Sequence, residues 1–405
     1  KAGIYPKEGG GRVTSMKKHT LIDCFSLRAR IGWQGLRSDE FKTEGPYLVT
    51  GIDFHNGRVD WDNCYHVTEE RYAQDKGIQL HEHDLLITKD GTIGKTAVVI
   101  DCPEKATLNS GVFVVRAING KVVPEFLHYV LHSHWFDLFV RNVLTGSTIK
   151  HLNQEKFYKF SFEAPDVPAQ KRIVEVLESI DDVIDKTRAV AQKYSNIKLG
   201  LMQRLLRCDR KVPLSKLGTI ISGSTPTTTD EKYWNGKNVW LTPADLSGMT
   251  MPFISDSERH LTDVGVKKAT GTLLPAYSVI ISNRAPVGYC AVVTVPFTYN
   301  QGCKAVKCNS DVDPLYLYYF MSNQKTALER VSSGTTFLEL PKKELERFLV
   351  SIPLDTDEQK DIAAKILAAD EKVQSEIDYM KKLENVKQGL VNDLLSGNVD
   401  AGKLK

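Results

Sequence analysis

Gln170-Lys171-Arg172-Ile173 opens a run of apolar positions at Leu177, Ile180, Ile184, Ala191, Tyr194, Leu201 and Leu205, and the same run returns 189 residues later. There Gln359-Lys360-Asp361-Ile362 is followed by Ile366, Ala369, Val373, Met380, Leu383, Leu390 and Leu394. Apolar residues spaced alternately by three and four form one stripe of an α-helix, the seam of a coiled coil. The copies share irregularities as well: Lys198 and Lys387 interrupt the seam at matching places, and Gly200 and Gly389 follow two residues on. A helix that cannot bury its stripe alone needs a partner, and the simplest partner for each copy is the other. Copies of a tandem duplication favour a pseudo-two-fold arrangement, which makes the two helices antiparallel. The expected fold is therefore α+β, with two strand-rich domains in tandem repeat separated by a long two-helix coiled coil. A run of roughly 38 residues at about 1.5 Å each spans on the order of 55 Å.

The segments between the helices repeat more faintly. Leu85-Leu86-Ile87-Thr88 before Gly91-Thr92-Ile93-Gly94 matches Val279-Ile280-Ile281-Ser282 before Ala285-Pro286-Val287-Gly288. Asn109-Ser110-Gly111 matches Asn300-Gln301-Gly302, and Gly146-Ser147-Thr148 matches Gly334-Thr335-Thr336. Each domain is expected to close with a helix after Pro124 or Pro314, since proline is tolerated in a first helical turn. The resulting division is a flexible leader at 1–18, a domain at 19–165, a helix at 166–208, a domain at 209–353, a helix at 354–399 and a tail at 400–405. Landmarks are shared and the loops between them differ, so the scaffold is common and the surface is not.

Composition fits a cytoplasmic multidomain protein: 405 residues, 41% apolar, 25% charged and a net charge of +3. No apolar stretch approaches the roughly 18 residues of a membrane span. Seven cysteines without a C-x-x-C read as reduced thiols. Residues 211–353 carry 15 Lys+Arg against 12 Asp+Glu, while residues 354–405 carry 8 against 11, so the second domain is basic relative to its following helix. That balance is compatible with phosphate contact but does not by itself identify a partner.

Catalytic motifs fail on inspection. Gly94-Lys95-Thr96 imitates the end of a phosphate-binding loop, yet Lys89 stands where the motif needs glycine and a strand, not a helix, follows. Asp313-Pro314-Leu315-Tyr316 resembles an amino-methyltransferase loop, but helix initiation explains it better. His128, His132 and His134 lack a matching ligand set for metal.

Taken together, the chain resembles the specificity (S) subunit of a type I restriction-modification system, from about Leu21 to Val399. The resemblance rests on Gly223–Pro226 with Tyr233-Trp234 and Val239-Trp240-Leu241-Thr242, then Ile281-Ser282-Asn283-Arg284 and Asn300-Gln301-Gly302. It continues through Ser333-Gly334-Thr335-Thr336, Ile352-Pro353 and Glu358-Gln359-Lys360-Asp361-Ile362. It implies a non-catalytic subunit in which each domain reads one half of a bipartite, asymmetric double-stranded DNA target. The helices would fix the gap and dock two methyltransferase (M) subunits, with restriction (R) subunits completing the complex. S-adenosylmethionine, Mg2+ and ATP would then belong to those partners, and this chain would need no cofactor or metal. The alternatives are a recognition component whose partner fuses cleavage and methylation, and an enzyme with an unrecognised site.

Candidate DNA contacts are Arg284 with Asn283, the loop Gly334, Thr335 and Thr336, its counterpart Ser147 and Thr148, and Lys89 where the first domain lacks the arginine. Hydroxyls and backbone N–H groups suit phosphate, and arginine suits phosphate or a guanine edge. A plain turn and a structural ion pair are the competing readings. Trp33, Trp234 and Trp240 are expected in the core.

Overall fold

The computed structural model describes residues 14–31, 35–144, 151–284, 286–333 and 338–400. The chain forms two compact units, residues 1–186 with 380–405, and residues 187–379. Two long helices, Val167–Leu205 and Thr356–Leu395, each contribute one portion to either unit. Both begin behind an aspartate: the Asp166 carboxylate accepts from the Ala169 N–H at 3.0 Å, and Asp355 accepts from Asp357 N–H at 3.0 Å. Such side-chain acceptors satisfy the open N–H groups of a first turn.

The first unit is built on a six-stranded sheet in the order Phe25–Arg28, Val112–Ala117, Leu85–Thr88, Thr96–Val98, Arg58–Val59 and Phe54–His55. The second unit repeats its centre with Gly218–Ser222, Cys303–Cys308, Ser278–Ser282, Cys290–Val293 and Phe253–Ile254. Leu85-Leu86-Ile87-Thr88 and Val279-Ile280-Ile281-Ser282 are buried throughout, as an unbroken apolar run demands of a strand covered on both faces. Leu85 and Ile87 join the cluster of the helix Pro124–Leu131, while Leu86 turns to the opposite cluster with Val49 and Leu108. Val279 and Ile281 likewise face the helix Pro314–Ser322, and Ile280 faces Leu241 and Tyr299. Asp313 accepts from the Tyr316 N–H at 2.8 Å, so Asp313-Pro314 does start a helix.

Within the first unit Ile173, Val174 and Leu177 share a core with Val391, Leu394 and Leu395, which places the two helix segments antiparallel. Within the second, Met202 and Leu206 share a core with Ile362, Ala363 and Ile366. Ile184, Ala191, Ile362 and Ile366 are buried, and Ile180, Tyr194, Leu201, Ala369, Val373, Met380, Leu383 and Leu390 are half-buried. The lysines that interrupt the seam have partners. Lys387 reaches Asp181 at 2.5 Å, and Asp181 also accepts the Tyr129 hydroxyl at 3.0 Å. In the second unit Lys198 pairs with Asp370, which accepts the Tyr319 hydroxyl at 2.8 Å. Burial, then the neighbouring carboxylate, pushes both phenols far above their ordinary range. Each group of three draws its lysine from the opposite repeat.

Gln170 and Gln359, fully buried, are duplicated latches between each long helix and its domain. Gln170 accepts from the Val123 N–H and donates to the Lys121 and Pro165 carbonyls; Gln359 accepts from Asp313 N–H and donates to Asp311 and Pro353.

One expectation needs correction. The leader does not extend to residue 18: Lys17–Thr20 is a strand paired with Ser161–Ala164, and Thr14 bonds to the Gly397 and Val399 carbonyls. Lys17-Lys18-His19-Thr20 has no alternation of exposed and buried positions to mark it as a strand; it is one through its pairing with Ser161–Ala164, a segment about 144 residues away in sequence.

Candidate nucleic-acid interface

The two strand-end loops share one hydrogen-bond framework. In the second unit Ser282 Oγ donates to the Pro286 carbonyl and accepts from the Tyr289 N–H, Asn283 N–H donates to Gly302, and Leu340 N–H donates to the Asn283 carbonyl. In the first, Thr88 Oγ1 donates to Thr92 and accepts from the Lys95 N–H, Lys89 N–H donates to Gly111, and Leu152 N–H donates to the Lys89 carbonyl. Lys89 therefore corresponds to Asn283, and Asp90 to Arg284. Each framework carries an acid–base contact across the same two loops, with the acid and the base exchanged: Arg284 to Glu339 at 3.2 Å, and Asp90 to the His151 ring. The arginine absent from the first domain is thus replaced by an acid with a basic partner.

Not every expected contact residue faces outward. Arg284 is half-exposed but held by Glu339. Asn283 is wholly buried, where its amide meets Glu339 at 3.4 Å. This corrects its assignment as a contact, because its main chain is clamped on both sides and its side chain lies under the loop. Lys89 is half-buried, its ammonium 5.3 Å from the Phe113 ring centre. Lys304 is buried close to Arg284 and Glu339, and burial holds its ammonium below the usual lysine range. Gly334, Thr335, Thr336, Ser147, Thr148 and Trp33 lie outside the described residues.

A second feature was missed. Trp234 and Trp240, on the strand Trp234–Leu241, pack edge to face with centres 4.9 Å apart and are buried. Their indole N–H groups donate to the Thr227 and Ser224 carbonyls at 3.0 and 3.3 Å, pinning the Gly223–Pro226 loop. Ser224 N–H donates to Tyr299, and Thr225 Oγ1 to the Gln301 side chain. Gly223 fits because its backbone lies against Asn300, where a Cβ would come within 2.0 Å of the carbonyl oxygen. The Arg259 guanidinium lies 3.6 Å from the Trp234 ring centre and 5.5 Å from that of Trp240. The strand is irregular between Trp234 and Asn238, both of which pair with Leu261, so simple alternation in the sequence does not reveal that the two indoles meet.

Among the described residues no reactive chemistry is assembled around these loops. Burial pushes the Cys290 thiol up to about 12, far from the range of a reactive thiolate. Among the described residues no group of three or more His, Cys, Asp or Glu side chains is placed to hold a metal ion. What the loops offer is fixed backbone, hydroxyls and planar cations, the chemistry of recognition.

The family model for the type I restriction modification DNA specificity domain matches residues 34–193 and again 210–388, one match for each repeat. The chain belongs to this family. As a specificity subunit it is a non-catalytic, DNA-recognising component. It is 31% identical over 175 residues to the type I restriction enzyme MjaIX specificity subunit of Methanocaldococcus jannaschii, an alignment covering 43% of this chain and 40% of the relative. It is 22% identical over 386 residues to the putative MjaX specificity subunit of the same organism, covering 90% of each. The crystal structure of a type I restriction-modification S subunit from M. genitalium superposes with a TM-score of 0.60 at 14% identity, covering 96% of this chain and 98% of that one. That likeness concerns the fold, two strand-rich domains and two long helices.

Proposed function

We propose that this specificity subunit reads a bipartite, asymmetric double-stranded DNA target, one half with each domain, within a cytoplasmic complex containing two methyltransferase subunits. One observation carries the reading: the same loop framework is kept in both domains while the side chains it displays are inverted in charge. A duplicated scaffold with unlike display suits two unlike half-sites, because base discrimination needs particular groups at fixed register. Arg284, Lys89 and the loops with Gly334, Thr335, Thr336, Ser147 and Thr148 supply backbone contacts or base readout. The long helices dock the methyltransferase subunits and set the gap. Their exposed apolar residues support this. Val183, Val190 and Ile197 recur every seventh position on the first helix, and Tyr379 and Val386 stand at the matching positions of the second. Two like stripes suit two copies of one partner. S-adenosylmethionine, Mg2+ and ATP bind on the partner subunits, which include restriction subunits in the full complex.

The test is methylation by the reconstituted complex on a DNA library. A split, asymmetric methylated site is expected, with no methyl transfer by the isolated chain. Turnover of S-adenosylmethionine by the chain alone, or a continuous palindromic site, would overturn the reading.

A further inference from the structure

We propose that Arg259 is a guanine-reading residue of the second domain, contacting the O6 and N7 edge of one guanine in its half-site; this rests on the reading that the domain contacts DNA. The side chain is held at both ends. Its guanidinium stacks on Trp234 at 3.6 Å, and the Arg259 carbonyl accepts from Ser257 Oγ, which in turn accepts from the Trp240 N–H. The rings beneath cannot turn, because both indole N–H groups are bonded to backbone carbonyls of the Gly223–Thr227 stretch. Stacking engages the guanidinium face and leaves its in-plane donors for an edge-on acceptor.

Those donors have no acceptor among the described residues. Four other arginines of the two domains are spent internally: Arg284 on Glu339, Arg71 on Glu40, Arg116 on Asp84 and Arg30 on the Leu108 carbonyl. Arg259 is exposed and flanked by Asp256, which pairs with His260 at 2.7 Å, and by Glu258. A fixed plane matters more to a base than to a phosphate, since paired acceptors on a base are met in one plane only.

The same lattice position in the first domain is filled differently. Strand pairing sets Val239 opposite His260 and Tyr47 opposite His66, so Arg259 corresponds to Tyr65. Tyr65 packs on Phe41 with centres 4.9 Å apart and is exposed. One scaffold position thus presents a planar cation in one domain and a phenol in the other, the variation that two unlike half-sites require.

The experiment uses the full chain reconstituted with its methyltransferase partner, and measures binding to the methylated target with every base pair substituted in turn. Arg259→Lys keeps the charge and removes the planar fork. It should weaken binding to the cognate target by about 5- to 150-fold, the effect of one good bidentate base contact. Discrimination should be lost at one G·C pair of the second half-site and kept throughout the first. A second measurement needs no variant: 7-deazaguanine at that position should weaken binding by the wild-type complex and add nothing further with Arg259→Lys. A uniform loss across all sequences, with the salt slope reduced by about one, would make Arg259 a phosphate contact and overturn the proposal. Unchanged discrimination together with tolerance of 7-deazaguanine at every guanine of that half-site would make it a cap on the tryptophans and overturn it too. A wild-type complex that fails to distinguish sequences would instead sink the DNA-recognition reading itself.

Discussion

Lys198→Met should destabilise the second unit by about 3 kcal/mol, because it strands the Asp370 carboxylate in the protein interior. The Asp370 side chain is 5% exposed and that of Lys198 30%. Removing one partner of a buried pair costs about 3–5 kcal/mol, since the remaining charge loses its counterion without regaining water. The Tyr319 hydroxyl stays bonded to Asp370, which places the cost at the low end of that range. Methionine keeps most of the aliphatic stem, so the loss reports charge rather than packing. The matching Lys387→Met should cost only about 1 kcal/mol, because Asp181 and Lys387 are 29% and 27% exposed and water can attend the stranded acid. Replacing all three groups at once, Lys198→Met with Asp370→Leu and Tyr319→Phe, should recover most of the loss, since no polar group is then left unpaired. A chain with two units does not report one unfolding free energy, so amide exchange along residues 356–379 and 380–395 is the assay. Equal costs in the two units, or a triple variant no better than Lys198→Met, would refute the reasoning.

Arg284→Ala should change stability by less than about 1 kcal/mol, since the pair with Glu339 is half-exposed; if the side chain turns to phosphate in the complex, binding to all sequences weakens and the salt slope falls by about one. Acidification should loosen the first unit before the second. The His128 and His132 rings meet edge to face with centres 4.4 Å apart, and burial depresses both, most strongly His128, with Lys387 adding to the effect. Their contribution is present above the ordinary histidine value of about 6.5 and is lost as pH falls below it, because the unfolded chain then binds the protons. Tyr318 and Ser322 stand at the corresponding places of the second repeat, so amide protection at Thr96–Val98, taken relative to each amide's intrinsic exchange rate, should fall between pH 7 and 5 while that at Cys290–Val293 holds; a parallel fall in both would contradict this. Matched heptads inserted after Ala191 and after Met380 lengthen each helix by roughly 10 Å and should lengthen the gap in the methylated site by about three base pairs. An unchanged gap in an active variant would show that the helices do not set it.

The seam was legible because every residue in it is apolar in both copies, and a period is visible without knowing what lies opposite. The buried strands Leu85–Thr88 and Ser278–Ser282 were legible for the same reason. The role of Lys198 and Lys387 was not. Their interruption of the stripe shows in the sequence, but the acids they meet lie 172 and 206 positions away and no local pattern connects them. Asn283 was misplaced because a loop residue beside an arginine looks exposed, and only the two clamping hydrogen bonds show that it is not. The contact of Asp90 with His151 is not legible because its members lie 61 positions apart and no local pattern joins them. Gly200 and Gly389 meet nothing within 4 Å, and nothing in the structure explains their duplication.

The crossed lysines also bear on how such a chain can be inherited. Each repeat carries one tyrosine, one aspartate and one lysine, gives its lysine away and receives one in return. Tyr129, Asp181 and Lys198 travel together on one stretch of coding sequence, and Tyr319, Asp370 and Lys387 on another. A genetic exchange that replaces either stretch whole with its counterpart from a relative keeping the same three residues restores both triads at once. The strand-rich part that comes with it can be entirely new. Lineages that keep these residues can therefore trade reading surfaces by recombination without having to re-evolve the pairs, whereas a relative that has lost any one of them brings in a stranded lysine or aspartate.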